Sequence, residues 1–205
     1  MSEASWGDEE SAEPAKRRVP TWVWWGCGGG CLLLTLMGGA MAVFGWRLVS
    51  EGMDPEVQWP RLAQVLAFDR RPEGIELHFG SGLVGADQFV LEDAERGLIA
   101  TVLQYPASAG VTVDLLDPEL GLPLGLGKLI EPETGTLLVQ GREVPCVRFA
   151  GIQRQGQGGA GVRLDLTGAR KQPRTLELRR AAGAQRIEDA EVEAFLLPFD
   201  VWREP

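Results

Sequence analysis

The apolar and polar positions divide the chain into three regimes. From Val19 to Trp46 run twenty-eight residues without one charged side chain. A helix of about 20 apolar residues crosses a hydrocarbon core of roughly 30 Å, and tilt absorbs a surplus. This stretch is therefore expected to be a transmembrane helix. Helical patterns of a shorter kind follow. Asp54-Pro55 can open one helix and Pro60 a second, because proline fits the first helical turn. Leu62, Val65, Leu66 and Phe68 then share one apolar face.

From Ile75 onward the period shortens to two, the mark of half-buried strands. Ile75, Leu77 and Phe79 alternate with Glu76 and His78, after a turn signal at Arg71-Pro72-Glu73-Gly74. Gln88–Leu91 and Leu98–Tyr105 read as a hairpin closed by 92–97. The second of these strands is apolar on both faces, which places it in the sheet interior. Thr136–Gln140 and Glu143–Phe149 form another hairpin around Gly141-Arg142, and Val162–Thr167 pairs with Arg174–Arg179. In that last pair Arg163 and Asp165 are positioned to meet Glu177 and Arg179 across the strands. Residues 106–135 read as an extended loop. Asp189 is expected to cap a closing helix with Val192, Phe195 and Leu196 on its buried face and Pro198 at its end.

These elements give the expected fold class: a single N-terminal transmembrane helix followed by an α+β domain, an antiparallel β-sheet flanked by helices. The expected divisions are a disordered acidic tail at 1–18, the transmembrane helix at 19–46, a juxtamembrane linker at 47–59 and a soluble domain at 60–205.

The flanks of the apolar run orient it. Lys16, Arg17 and Arg18 precede it and only Arg47 follows, so the positive-inside rule keeps the N-terminus in the cytoplasm and sends the domain outside. Trp22, Trp24, Trp25 and Trp46 fit the aromatic belts of the two interfaces. Ala40-Met41-Ala42 resembles a signal-peptidase site, which leaves a secreted domain as the alternative. The run stays apolar through Val43, Phe44 and Trp46, and this favours an uncleaved anchor in the cell (inner) membrane. Within it Cys27, Cys31, Thr35 and Gly39 recur every four residues, as do Gly26, Gly30, Gly38 and Ala42 around an interruption at Leu34. Small residues at that spacing let helix backbones approach closely, so these eight positions form a candidate packing face for a homodimer or a partner's helix.

Composition narrows the chemistry. The formal net charge of -9 argues against a nucleic-acid partner, whose phosphates would repel the chain, and against electrostatic adsorption to anionic lipid. Two of the three cysteines lie in the apolar run, so the domain has no disulfide to form. With one histidine, a metal site built on imidazoles is not expected, and no cofactor is either. Gly156-Gln157-Gly158-Gly159-Ala160-Gly161 matches a dinucleotide fingerprint by letters, but a strand follows it where the chemistry needs a helix N-terminus. Asp114, Asp117 and Glu119 match no calcium loop. Two catalytic candidates remain. His78 shares a strand face with Glu76, and a histidine–carboxylate pair can do acid–base work. Cys146 shares its face with Val144 and Arg148; a nearby guanidinium lowers a thiol pKa, whereas burial makes cysteine a small hydrophobe.

The segments VLAFDRRPEGIELHFG, GTLLVQGREVPCVRF and GAGVRLDLTG, with RTLELRR and DAEVEAFLLPF after it, resemble a group of membrane-anchored bacterial proteins. Their soluble domains are similar to the PsbP-like fold of the photosystem's extrinsic subunit. The resemblance implies an antiparallel sheet sandwiched by helices, and it carries over no catalytic residue. This chain departs from it at 106–135, where prolines and glycines stand in place of a helix. The functional expectation is a single-pass membrane protein presenting an extracytoplasmic, non-catalytic binding or assembly domain to an unidentified protein partner or a second copy. An enzyme or redox protein using His78 or Cys146 is the alternative.

Overall fold

The computed structural model describes residues 21–83, 86–106, 116–117, 129–152, 159–168, 172–180 and 185–203. Side chains are described from Leu32 onward, Leu48 and Leu83 excepted. The chain divides after Trp46 into two compact units.

Helix α1 (Thr21–Gly52) supplies the described part of the first unit and the opening residues of the second. Its Leu32–Gly52 portion, 21 residues, is predominantly apolar, and its described side chains are exposed apart from half-buried Gly45 and buried Gly52. At about 1.5 Å rise per residue this is long enough to cross a bilayer. By length and composition it suits a membrane anchor or a signal sequence. The helix passes through Ala40-Met41-Ala42 without a break and ends beyond the expected boundary at Trp46, with Arg47 paired to Glu51 one turn on.

The second unit begins with helix α2 (Pro55–Val65), inside the stretch expected to be a linker. The Asp54 side chain accepts from the Glu56 amide and caps it. Pro60 does not start a second helix. It lies within α2 on the exposed side, while Trp59 and Leu62 beside it are buried, so their packing offsets the missing amide.

Among the described residues nine strands follow: β1 (Ile75–Leu83), β2 (Ala86–Asp93), β3 (Leu98–Gln104), β4 (Leu129–Ile130), β5 (Glu133–Val139), β6 (Arg142–Phe149), β7 (Gly151–Ile152), β8 (Gly161–Asp165) and β9 (Arg174–Arg180). Seven form one antiparallel sheet in the order β1-β2-β3-β9-β8-β6-β5, and β4 pairs with β7 in a separate ribbon. β3 is interior, as its two apolar faces imply. Residues 129–135, read from sequence as loop, include β4 and the start of β5; 107–115 and 118–128 lie outside the described residues.

One sheet face is the main core. Leu77, Phe89, Leu91, Ala100, Val102, Leu176, Leu178, Leu164 and Val162 pack there against Leu62 and Leu66 of α2 and against Val192, Phe195 and Leu196 of helix α3 (Asp189–Leu196). The cap of α3 is Glu188, one residue before the expected Asp189. Its side chain and that of Glu191 form a reciprocal capping box. Arg174, 1% exposed, ties this face together by donating to the carbonyls of Val65, Leu166 and Val201, the first of which closes α2.

Two local deviations shape the edges. The β1–β2 register shifts between Leu77 and Phe79, a bulge at His78, and this ends the expected alternation. Ile75 and Leu77 are buried in the core, whereas Phe79 sits opposite Val90 on the other phase and is half-buried. The β5–β6 turn is Gln140-Gly141, one position before the expected Gly141-Arg142. Both residues have positive φ, 47° and 80°, the two-residue turn that matches strand twist. Gln140 accepts that backbone because its side chain bridges to the carbonyls of Leu196 and Phe199 and to the Val201 amide.

Candidate functional site

The second sheet face holds a row of buried polar and charged residues. Thr101 on β3, Glu177 on β9 and Arg163 on β8 are cross-strand neighbours in one row, each no more than 2% exposed. Arg163 donates through Nε and Nη2 to Glu177 Oε2 at 3.1 and 2.9 Å, and through Nη1 to the Asp117 carbonyl at 3.3 Å. Arg179 Nε lies 3.3 Å from Glu177 Oε1. Of the two pairings expected from the sequence, Arg163 with Glu177 forms. Asp165 instead caps the Thr167 amide, and Arg179 approaches Glu177 along its own strand. Beside this row Leu116, Leu129, Val147, Phe149 and Ile152 make a small second core beneath the β4–β7 ribbon. Arg163 thus fastens the Leu116–Asp117 backbone onto the sheet. Tyr105 is also close: burial pushes its phenol up, and the Arg163 charge partly opposes that. This is the arrangement of a structural lock.

A cavity of ≈ 140 Å³ opens where β4, β6 and β8 meet, lined by Glu131, Glu133, Arg148, Phe149 and Arg186 with the backbone of Ala150, Ala160 and Gly161. Three of its four charges are engaged: Arg148 donates to the Ile187 carbonyl and to Asp189, and Arg186 lies 3.5 Å from Glu133. The lining holds no serine, threonine, cysteine or histidine. It offers hydrogen bonds to a small polar group, and no hydroxyl, thiol or imidazole.

The two catalytic candidates are far from forming one site. His78 meets Glu92 on β2, with Nε2 2.6 Å from Oε2, and not Glu76 as its strand position suggests. The bulge turns the imidazole toward the neighbouring strand. Both groups are open to solvent, at 46% and 36% exposure. Among the described residues no hydroxyl or thiol hydrogen-bonds to either. Cys146 is buried in the main core. Burial pushes its thiol up, Arg148 pulls it down, Asp189 adds to the rise and Arg186 opposes it; the balance is a raised value. Arg148 is the neighbour that the sequence points to, but its guanidinium is held by Ile187 and Asp189. Among the described residues no group of three histidine, cysteine, aspartate or glutamate side chains could hold a metal ion.

Of the packing face expected on α1, Thr35, Gly38, Gly39 and Ala42 are exposed, and a methyl group added at Gly38 or Gly39 would meet nothing within 4 Å. Gly26, Cys27, Gly30 and Cys31 belong to the helix, but their side chains lie outside the described residues, as do 153–158 of the glycine-rich segment and the acidic positions Asp114 and Glu119. Sequence reasoning passed over Arg148 as a partner of α3. The 41 residues between it and Asp189 leave no local signal. Compared with family models, curated proteins and solved structures, the chain gives no match.

Proposed function

We propose that this chain is a single-pass membrane protein, anchored by α1 with its N-terminus in the cytoplasm, that displays a non-catalytic α+β domain on the other side for binding or assembly. The observation that carries the reading is the largely exposed, predominantly apolar Leu32–Gly52 helix, continuous through the possible cleavage position. The basic cluster at 16–18 supports the orientation. The polar groups support the non-catalytic role. The buried charges on the second sheet face fasten chain segments to one another; among the described residues no hydroxyl or thiol hydrogen-bonds to the His78–Glu92 pair, and Cys146 is buried with its thiol pKa raised. A PsbP-like domain is part of the same proposal on the sequence resemblance alone; α2 and α3 both pack on one sheet face, where the resemblance implies helices on two.

Alkaline extraction of membranes, followed by intact-mass measurement, separates the anchor from its alternative. An uncleaved chain that stays in the pellet is expected. A soluble product beginning near Val43 would establish secretion after cleavage and remove the anchor.

A further inference from the structure

The two edges of the seven-stranded sheet differ in kind. β1 is interrupted by the bulge at His78, and the end of α1 closes on it: a methyl group on Gly52 would come within 2.8 Å of the Gly80 carbonyl. β5 at the opposite edge is regular. Its seven residues pair with β6 without a register shift, it contains no proline, lysine or arginine, and among the described residues no strand pairs with its outer side. Thr134, Thr136 and Leu138 are exposed, Leu138 by 62%. Bulges, prolines and charges are the usual protection of a free edge, and of these β5 has only Glu133 at its end.

The turn fixes which backbone groups face outward. A two-residue turn makes its flanking residues, Val139 and Arg142, a mutually hydrogen-bonded pair. By alternation Leu137, Gly135 and Glu133 also point their amides and carbonyls at β6. Those of Thr134, Thr136 and Leu138 point away from the sheet. Three consecutive outward positions on a regular strand can pair with a copy of themselves. Antiparallel, about a dyad through Thr136, they set Thr136 against Thr136 and Thr134 against Leu138, every one a hydrogen-bonded pair.

We propose that two copies of the chain join edge to edge through β5 in this register, extending one sheet across the pair. The charge pattern selects this arrangement. Glu133 is the one charge on the strand and lies at its end. Antiparallel pairing puts the two glutamates at opposite ends of the contact, each opposite Val139, whereas parallel pairing would set them side by side. The threonine pair and the cover of Thr134 over Leu138 add favourable cross-strand contacts. One strand pair buries less than the ≈ 1,200 Å² typical of a freely formed stable complex. The contact therefore depends on the anchor reading: chains held in one membrane meet at raised effective concentration.

Disulfide crosslinking of the full-length chain in membranes, with Cys27→Ala and Cys31→Ala as background, tests the register. Thr136→Cys should give a covalent dimer on mild oxidation, because hydrogen-bonded antiparallel pairs lie ≈ 5.5 Å apart at Cα, within disulfide reach. Thr134→Cys and Leu138→Cys chains should remain monomeric alone and link when co-expressed. Absence of the Thr136→Cys dimer overturns the proposal. So does equal linking of Glu76→Cys on the opposite edge, which would report random collision. The same samples read the anchor separately. Linked chains released by alkaline extraction would sink the anchor reading and keep the strand pairing, and unlinked chains retained in the pellet would do the reverse.

Discussion

Cys146 lies where local sequence and tertiary packing act in opposite directions. Arg148, two positions on, draws the thiol toward ionisation, but burial outweighs it and the pKa is raised. The folded protein therefore keeps the thiol proton just above pH ≈ 8.5, where the unfolded chain has lost it, and this group makes stability fall as pH rises through that range. In the Cys27→Ala, Cys31→Ala chain at pH 8, a thiol reagent is expected to modify Cys146 far more slowly in the folded protein than in denaturant. Equal rates would show an accessible thiolate and reopen the redox reading. The sequence offered both outcomes for this residue, and only the position of β6 under α3 decides between them. At His78 the sequence offered the wrong neighbour. Strand alternation points to Glu76, but a bulge is invisible in the pattern of apolar positions, and it brings in Glu92 from fourteen residues away.

Among the elements, the strands were the most legible part of the chain. Alternation marked β1, β2, β5, β6, β8 and β9, and a run apolar on both faces marked β3, which lies in the sheet interior. Two positions moved by a residue: the β5–β6 turn to Gln140, whose side chain bonds a distant segment, and the α3 cap to Glu188, whose amide donates to Glu191 within the same turn. Sheet order was not legible, since β3 meets β9 across a separation of about eighty residues. The β8–β9 pair shows what that placement costs and yields. Arg163 and Glu177 lose their hydration, and a desolvated pair stabilises only while both partners remain. Glu177→Leu is expected to destabilise the domain by about 3–5 kcal/mol, leaving Arg163 uncompensated. The double variant Arg163→Met, Glu177→Leu should recover most of that loss in denaturant titration. A double variant no more stable than the single one would mean that the Arg163 link to Asp117 carries the stability.

For the molecule as a whole, the informative contrast is between a helix exposed over most of its described length and a domain that buries Cys146 and the Arg163–Glu177 pair. The long apolar helix suits a membrane anchor or a signal sequence by length and composition, while the domain's buried charges fasten its own segments together. The apolar run was the plainest feature of the sequence, because an unbroken stretch is read without inferring a periodicity. The edge of β5 was not legible, since it depends on which strand ends the sheet. Anchoring and display are tested most directly by fusing, after the C-terminus, one reporter active only outside the cytoplasm and, separately, one active only inside. Activity of the outside reporter alone, with the chain retained in membranes, is the predicted result. Activity of the cytoplasmic reporter alone would contradict the account.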